Sequence, residues 1–255
     1  MFGVLAQSGN TPTMYNPICC LDSSDTSSTN ITESSNLVSL LKDRSGTGND
    51  GVQGTGSAQG TTNTNTINSL NAIYFQAGDF LEMASVTTAV NLTIIAVFKP
   101  TGNNDPTASF FSADAADNDF QIDSLTSTEY HGRVNSTNLG ATSAPTLGTD
   151  EMNNVILTTY RFSNNDSDIT VRLNGTEVDA DTYDGAMNSS LTMRIAINRA
   201  KSRSLVLDLG EIIIFNEDLS VGQITTIETY LTDKWAVEVC PNSDAVYSVE
   251  SSEDI

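Results

Sequence analysis

Acidic side chains cluster in four loop-like stretches, and they are the residues of this sequence best suited to hold a metal ion. Carboxylate and amide oxygens are the ligands that Ca²⁺ takes in proteins. We expect Asp114, Asp117 and Asp119 to be the best calcium ligands, and calcium is the one cofactor that the sequence suggests. None of the stretches has EF-hand spacing, and a chain with 32 acidic residues also forms such clusters as ordinary solvated turns. The four stretches are residues 103–106, 113–119, 164–168 and 179–185.

Two tyrosines suit the binding of a sugar. Sugar faces stack on aromatic rings, while their hydroxyl groups exchange hydrogen bonds with carboxylates and amides. Tyr183 lies between Asp181 and Asp184, and Tyr130 is a second candidate. We expect these four residues to contact a glycan at the rim of the fold. The alternative is that the two rings simply pack at that rim.

Basic residues are scarce, yet four of the 11 lie within ten positions: Arg194, Arg199, Lys201 and Arg203. One interpretation is a docking patch for an acidic partner, such as another copy of this chain. The other is a charged hairpin edge that resists pairing with foreign strands. The sequence leaves both open.

No set of residues assembles into a catalytic site. His131 is the one histidine, and no Ser/His/Asp or Cys/His combination accompanies it. Glycosidases place two carboxylates on either side of the scissile bond, and no stretch carries acids in the alternation Glu-x-Asp-x-Glu. We therefore expect a protein that is not an enzyme.

The cysteines Cys19, Cys20 and Cys240 are too few and too unevenly spaced for a disulfide framework or a zinc site. We expect buried or free thiols. A bond from Cys19 or Cys20 to Cys240 stays open, because spacing alone does not show it.

Composition favours strands and argues against several functions. Hydrophobic residues make up 38% of the 255 and charged residues 17%, so much of the polarity comes from Ser, Thr, Asn and Gly. The net charge of −21 argues against nucleic-acid binding, which needs a basic footprint. No apolar run approaches the roughly 18 residues of a membrane span. The start lacks the pattern of a signal peptide, so we expect synthesis in a cytosol. From the chain length we expect one main domain.

Alternating residues predict the strands that position these sites. Residues 91–98 are apolar on both faces, which suits a strand covered on both sides. Residues 155–162 place Ile156, Tyr160 and Phe162 on one face. Two further strands cover residues 169–173 and 191–197, and Asn174-Gly175 supplies a tight hairpin turn after the first of them.

The run Ile212 to Phe215 is apolar on both faces, so another element must cover the outside of its sheet. Ser220 and Gln223 form a capping box, which predicts that a helix starts there. Its apolar stripe is Ile224, Ile227, Leu231 and Trp235. We predict that this helix folds back over the strand.

Two earlier segments are harder to assign. Leu37 to Leu41 is a short apolar element and a candidate to share the cover of the sheet. Residues 45–71 contain few aliphatic side chains and are predicted to be one long surface loop.

The stretch from Gly210 to Trp235 resembles the closing signature of laminin-G-like, concanavalin A-like jelly-roll domains of bacterial and phage proteins. In that signature an apolar strand begins with Gly-Glu and leads into a short helix that ends near Lys-Trp. Residues 21–28 and 40–53 are similar to the start and to an Asp-Lys-Ser-Gly-Asn-Gly turn of the same group, with Thr47 in place of the usual Asn. The resemblance brackets residues 21–238. Its closing positions are Gly210, Glu211, Ile212 to Phe215, Leu219, Ser220, Tyr230, Leu231, Lys234 and Trp235.

The resemblance implies an all-β fold, a two-sheet antiparallel jelly-roll sandwich with a short C-terminal helix. Rim loops of such domains often bind glycans or calcium, but the fold by itself implies no chemistry. Residues 1–20 are expected to form an N-terminal arm used for attachment, residues 21–238 the jelly roll, and residues 239–255 an acidic C-terminal tail.

We therefore expect a non-enzymatic structural protein of a phage virion, a decoration or accessory protein on the head or tail. Its lectin-like domain would touch host-surface glycans. The expected partners are other virion proteins such as capsid or tail subunits, glycans and further copies of the chain, without nucleic acid or membrane. The alternatives are a free-standing carbohydrate-binding adhesion lectin and a tail-fibre component that binds the receptor.

Overall fold

The computed structural model describes residues 15–87, 91–103, 109–114, 120–126, 129–134, 153–163, 168–182 and 190–238. Within them the chain forms sixteen strands and the helix α1 (Val221–Trp235). The strands are β1 (Cys19–Asp22), β2 (Ile31–Ser34), β3 (Leu37–Leu41), β4 (Gly51–Val52), β5 (Thr61–Ile67), β6 (Leu70–Phe75), β7 (Leu81–Thr87), β8 (Leu92–Asn103), β9 (Ser109–Asp114), β10 (Phe120–Thr126), β11 (Glu129–Val134), β12 (Ile156–Ser163), β13 (Asp168–Leu173), β14 (Thr176–Thr182), β15 (Ser190–Ile195) and β16 (Leu205–Phe215).

The strands form two antiparallel layers, which confirms the predicted sandwich. The first sheet has the order β14-β13-β12-β8-β16-β6-β5, and β1 pairs with β16. The second has the order β11-β10-β9-β15-β7-β4-β3, with β2 beside β3. The pair Leu37 and Thr61 joins the two sheets at one edge.

The main core lies between the two sheets. Phe98 of the first sheet stacks on Phe110 of the second, with ring centroids 3.9 Å apart. The predicted faces are confirmed for β12 and β15, because Ile156, Tyr160, Phe162, Leu191, Met193 and Ile195 all lie in this core. The predicted hairpin between β13 and β14 is confirmed too, with positive φ angles of 47° at Asn174 and 84° at Gly175.

A second core lies on the outer face of the first sheet, under α1. Ile213 and Phe215 of β16 point into it, whereas Ile212 and Ile214 point into the main core. The capping box is present as predicted, since Ser220 accepts from the backbone of Gln223 and the Gln223 side chain accepts from Ser220. The buried residues of α1 include the predicted stripe Ile224, Ile227, Leu231 and Trp235.

Gly210 is an extra residue in β16, where the register with β8 shifts. A Cβ atom at this position would lie 3.1 Å from the carbonyl oxygen of Val97 and 3.2 Å from the Trp235 ring. Glycine therefore lets the indole of Trp235 pack directly on the strand.

Two predictions were wrong. Residues 45–71 are not one loop, because they contain β4, β5, a 3-10 turn at Gly56–Ala58 and the start of β6. Their strand pattern was hidden because β5 buries only Thr62 and Ile67. The element Leu37 to Leu41 does not cover the first sheet beside α1; it is strand β3 of the second sheet, with Val38 and Leu41 in the main core.

At the amino-terminal side, β1 begins at Cys19, so the last two residues of the predicted arm belong to the sandwich. Cys19 and Cys20 are buried free thiols, and burial raises the pKa of both. Residues 1–14, the tail and Cys240 lie outside the described residues. No helix in the described part of the chain has the length and apolarity that crossing a bilayer requires.

Candidate functional site

The outer face of the first sheet is divided where α1 ends. The part that we call the covered half lies under the helix and includes Ile95, Val97, Leu157, Ile213 and Phe215. Beyond the last helical turn the same face continues with polar side chains. We call this second part the open face; its residues are Asn65, Tyr74, Lys99, Asp208 and the lining of the cleft described below.

A row of side chains from three neighbouring strands forms the centre of the open face. Tyr74 on β6 lies opposite Asp208 on β16, which in turn lies opposite Lys99 on β8. Cross-strand neighbours have Cβ atoms about 5 Å apart. Tyr74 and Lys99 are half-exposed, so a ring and an ammonium group flank the carboxylate of Asp208, which is itself only 4% exposed.

Asp208 is held in place by Asn65. The Asn65 Nδ2 atom donates to Asp208 Oδ1 at 2.6 Å. Burial raises the pKa of Asp208, while the Asn65 hydrogen bond and the charge of Lys99 oppose that rise. The result is a fixed amide and carboxylate beside an accessible aromatic ring, which are the groups that a sugar needs for hydrogen bonding and stacking.

A cleft of about 330 Å³ continues the open face at the C-terminal end of α1. Val155 lines this cleft. It also extends the row beyond Lys99, because Ile156 pairs with Phe98 and the preceding residue, Val155, therefore lies beside Lys99. The lining is mainly amide side chains, and it consists of Asn153, Asn154, Val155, Asn174, Ala236 and Glu238.

Asn174 presents a fixed donor to this cleft. Its Oδ1 atom accepts from the backbone of Leu157 at 2.9 Å, and its own backbone donates to the Leu157 carbonyl at 2.8 Å. The amide plane is therefore set, and no group of the described residues accepts a hydrogen bond from Asn174 Nδ2. Two N–H bonds of that atom remain for a ligand.

Glu211, Lys234 and Trp235, which carry part of the resemblance to jelly-roll domains, form a buried cluster that we call the clasp. It lies at the boundary between the covered half and the open face. Glu211, only 1% exposed, accepts from Lys234 at 2.7 Å and from the Trp235 indole at 3.1 Å. Lys234 also pairs with Asp22 at 2.8 Å. Burial and the nearby Asp22 raise the pKa of Glu211. Burial alone would lower the pKa of Lys234, but the negative charges of Glu211 and Asp22 raise it. The clasp ties α1 to β1 and β16, so its role is structural.

A second buried ion pair fixes the middle of α1. Arg172 on β13 donates to Glu228 at 2.9 Å, and Thr159 on β12 donates to the same carboxylate at 2.8 Å. Both contacts serve the packing of the helix on the sheet.

The acidic turn after β3 is filled by the protein's own donors. Asp43 accepts from the backbone of Cys20 at 2.9 Å and of Asn49 at 3.0 Å, and from the hydroxyl groups of Ser45 and Thr47. Burial alone would raise the pKa of Asp43, but these hydrogen bonds lower it. The carboxylate therefore organises the turn and anchors the amino-terminal strand.

The predicted calcium and glycan residues lie on other strands or outside the described residues. Asp114 ends β9, Tyr130 lies on β11 and Asp181 lies on β14, and the structure describes only their backbone. Asp117, Asp119, Tyr183 and Asp184 lie outside the described residues. Within the described residues no group of three or more His, Cys, Asp or Glu side chains is placed to hold a metal.

The predicted docking patch needs a correction at Arg194. This residue is 5% exposed and donates to its cross-strand partner Glu82 at 2.8 Å, so its guanidinium is not offered to a partner. Lys201 is exposed, but it pairs with the same carboxylate at 2.9 Å and lies 5.0 Å from the centre of the Phe80 ring. Arg199 is half-buried and Arg203 is exposed. The ion pairs form because Arg194 and Glu82 are opposite each other on the second sheet.

One acidic alternation escaped the sequence analysis. Glu177, Asp179 and Asp181 recur at every second position of β14. A register shift separates them, because Glu177 lies opposite Arg172, whereas positions 179 and 181 lie opposite the core residues Val171 and Ile169. The three positions therefore do not share one face of the sheet.

The open face itself is not evident from local sequence patterns. Asn65, Tyr74, Lys99 and Asp208 come from four strands, and Asn65 lay within the predicted loop. One signal could have found the site. Asp208 lies between Leu207 and Leu209, which are both in the main core, and an acid inside an apolar strand needs a polar partner.

Comparison with known proteins shows the fold and leaves the function open. No protein-family model matches the sequence, and no curated protein matches it either. Among solved structures, domain 4 of AbnA, a GH43 extracellular arabinanase from Geobacillus stearothermophilus, in complex with arabinotriose, is similar with a TM-score of 0.59 and 12% identity. The match covers 84% of this chain and 98% of that domain.

Two larger proteins show the same architecture. The binding domain of botulinum neurotoxin DC in complex with SialylT has a TM-score of 0.59 and 13% identity, over 86% of this chain and 52% of that one. Trypanosoma rangeli sialidase in complex with sialic acid has a TM-score of 0.58 and 12% identity, over 86% of this chain and 33% of that one. This chain therefore spans about half of the neurotoxin chain and about a third of the sialidase chain. At such identities the likeness establishes a shared β-sandwich fold alone.

Proposed function

We propose that this protein is a lectin-like carbohydrate-binding domain and that the open face is its glycan-binding surface. The observation that carries the proposal is the row of Tyr74, Asp208 and Lys99, with Asp208 fixed by Asn65 at 2.6 Å. A ring for stacking and fixed polar groups for hydroxyl recognition lie side by side, and they open into a cleft lined by amides.

The similar structures support this proposal. Two of them are complexes with arabinotriose and SialylT, so sandwiches of this architecture serve as binding domains. We also propose that the chain binds without catalysis. In support, Asp208 is the one carboxylate in the central row, and a glycosidase uses a pair of them.

A matched pair of tyrosine variants tests the site. Tyr74 and Tyr230 are both half-exposed, but Tyr230 lies on α1 and not on the open face. We expect Tyr74→Ala to weaken glycan binding about fivefold, because stacking on a ring stabilises a complex by about 1 kcal/mol. Tyr230→Ala should leave affinity unchanged. Titration calorimetry with a glycan selected on an array measures both, and equal losses in the two variants would contradict the assignment.

We further propose that the domain is displayed on a phage virion as a decoration or accessory protein. The support is the resemblance of residues 21–28, 40–53 and 210–235 to jelly-roll domains of bacterial and phage proteins. On this proposal residues 1–14 provide the attachment. A chain that lacks residues 2–14 should keep glycan binding but no longer co-sediment with particles. If the full chain does not co-purify with particles at a fixed copy number, a free-standing adhesion lectin is the better description.

A further inference from the structure

The charges around the cleft are mainly negative. Glu238 lies on its wall and is exposed. The wall also contains Ala236, which ends α1 in the left-handed conformation with φ of 51°. The C-terminus of a helix carries about half a negative charge on its last carbonyl groups. A carboxylate and a helix C-terminus therefore face the same space.

Each basic group nearby faces a carboxylate. Lys99 lies opposite Asp208, and its charge acts on that carboxylate. Lys234 is held by Glu211 and Asp22 at 2.7 and 2.8 Å. Among the described residues, no Lys or Arg lines the cleft itself. The net charge of −21 adds a repulsive background for any anion.

The groups that remain suit an uncharged ligand. Asn174 Nδ2 offers two donors to an oxygen acceptor, and Glu238 accepts from hydroxyl groups. Val155 and Ala236 add a small apolar surface. Hydroxyl, ether and acetamido groups match this combination, whereas a carboxylate or sulfate in the cleft would meet negative charge, with no cationic side chain among the lining residues.

We propose that the open face selects uncharged oligosaccharides and rejects sialylated and sulfated ones. This selection rests on the glycan-binding function proposed above. It distinguishes this chain from the similar binding domain solved with SialylT, because the fold is shared while the charges that face the ligand are its own.

An array of paired glycans tests the proposal on the full chain. The probes are arabinotriose, lactose with sialyllactose, and N-acetyllactosamine with its sulfated form. We expect binding to a neutral probe and at least about tenfold weaker binding to its acidic counterpart, with the gap narrowing when NaCl rises from about 0.05 M to about 0.5 M because salt screens the repulsion. Equal or tighter binding of the acidic member would overturn the selection and leave the proposed function standing. If no probe of either kind binds, the proposed function itself fails.

Two charge-reversal variants locate the origin of the selection. Glu238→Lys places a cation at the cleft, and Glu217→Lys makes the same change in net charge at the opposite end of α1, about 22 Å away. Both side chains are exposed, so folding should tolerate both changes. We expect Glu238→Lys to reduce the neutral-to-acidic preference at least about fivefold and Glu217→Lys to leave it unchanged. Equal effects of the two variants would assign the preference to overall charge and overturn the local proposal.

Discussion

The covered half and the open face belong to the same side of the same sheet, yet they are built in opposite ways. Under α1 the strands present Ile95, Val97, Ile213 and Phe215, and every one of these side chains is fully buried. A few residues further along β16 and β8, the outward side chains are Asp208 and Lys99. The clasp of Glu211, Lys234 and Trp235 lies at the boundary between the two halves.

On the proposed function, the difference means that one strand serves stability in one half and recognition in the other. Apolar burial in the covered half contributes roughly 25 cal/mol for each Å² removed from water. The open face gives up that contribution, and it also carries a carboxylate whose pKa is raised by burial. Substitutions in the two halves should therefore separate loss of stability from loss of binding.

The largest effect is expected for Trp235→Ala. The indole is 1% exposed, packs on Gly210 and donates to Glu211, so its removal leaves a cavity and an incomplete clasp. We expect the free energy of unfolding to fall by about 3–5 kcal/mol, as measured by urea denaturation. Tyr74→Ala on the open face should lower it by less than about 1 kcal/mol. A small effect at Trp235 would mean that the helix does not act as the cover.

Lys234→Met should lower the free energy of unfolding by about 3 kcal/mol at neutral pH, because the buried carboxylate of Glu211 then lacks its cation. The pKa of Glu211 is already raised, so the folded state favours its protonated form. The loss should therefore shrink as the pH falls through that pKa and Glu211 becomes neutral. The double variant Lys234→Met, Glu211→Gln is the control, and it should be more stable than Lys234→Met alone at neutral pH.

Two glycine variants should shift stability in opposite directions. Gly210→Ala forces a methyl group against the Val97 carbonyl and the Trp235 ring, at an expected loss of about 1–2 kcal/mol. Gly222→Ala lies on α1 with no atom within 4 Å of the new Cβ, and should gain up to about 1 kcal/mol from helix propensity. Thermal unfolding of both variants measures this difference. A neutral Gly210→Ala would show that the indole does not need the close approach.

The smallest change in stability, with the clearest change in binding, is expected for Asp208→Asn. A raised pKa means that the contribution of Asp208 is greatest at acidic pH and falls as the pH rises through its folded value. The variant should therefore be at least as stable as the parent at neutral pH and should lose stability less steeply as the pH rises. Glycan affinity should fall at least about tenfold, because a charged acceptor is removed. A destabilised variant with unchanged affinity would reverse the roles assigned to the two halves.

The covered half could be predicted from the sequence because its signals are local. The apolar run of β16, the capping box at Ser220 and the helical stripe each lie within a few consecutive residues, and each predicts its own element. The turn Asn174-Gly175 is equally local. These features were sufficient for the individual strands and for the helix that covers the sheet, while the two-layer sandwich followed from the resemblance to jelly-roll domains.

The open face could not be predicted because its residues meet only through strand order. Asn65 and Asp208 are 143 positions apart, and neither has a distinctive neighbour in the sequence beyond the leucines around Asp208. Alternation assigns a residue to a face of a strand but does not say which strands are neighbours. The Arg194 prediction failed for the same reason, since its partner Glu82 lies on another strand, 112 positions away.

The ion pair between Asp22 and Lys234 has an architectural consequence. Because Lys234 Nζ lies 2.8 Å from Asp22 Oδ2, the C-terminal end of α1 lies beside β1, the first strand of the sandwich. A unit with neighbouring ends can be spliced into a loop of a host protein, or rejoined end to end and reopened at a surface turn, without stretching either partner. This sandwich therefore has a geometry that suits domain insertion and circular permutation.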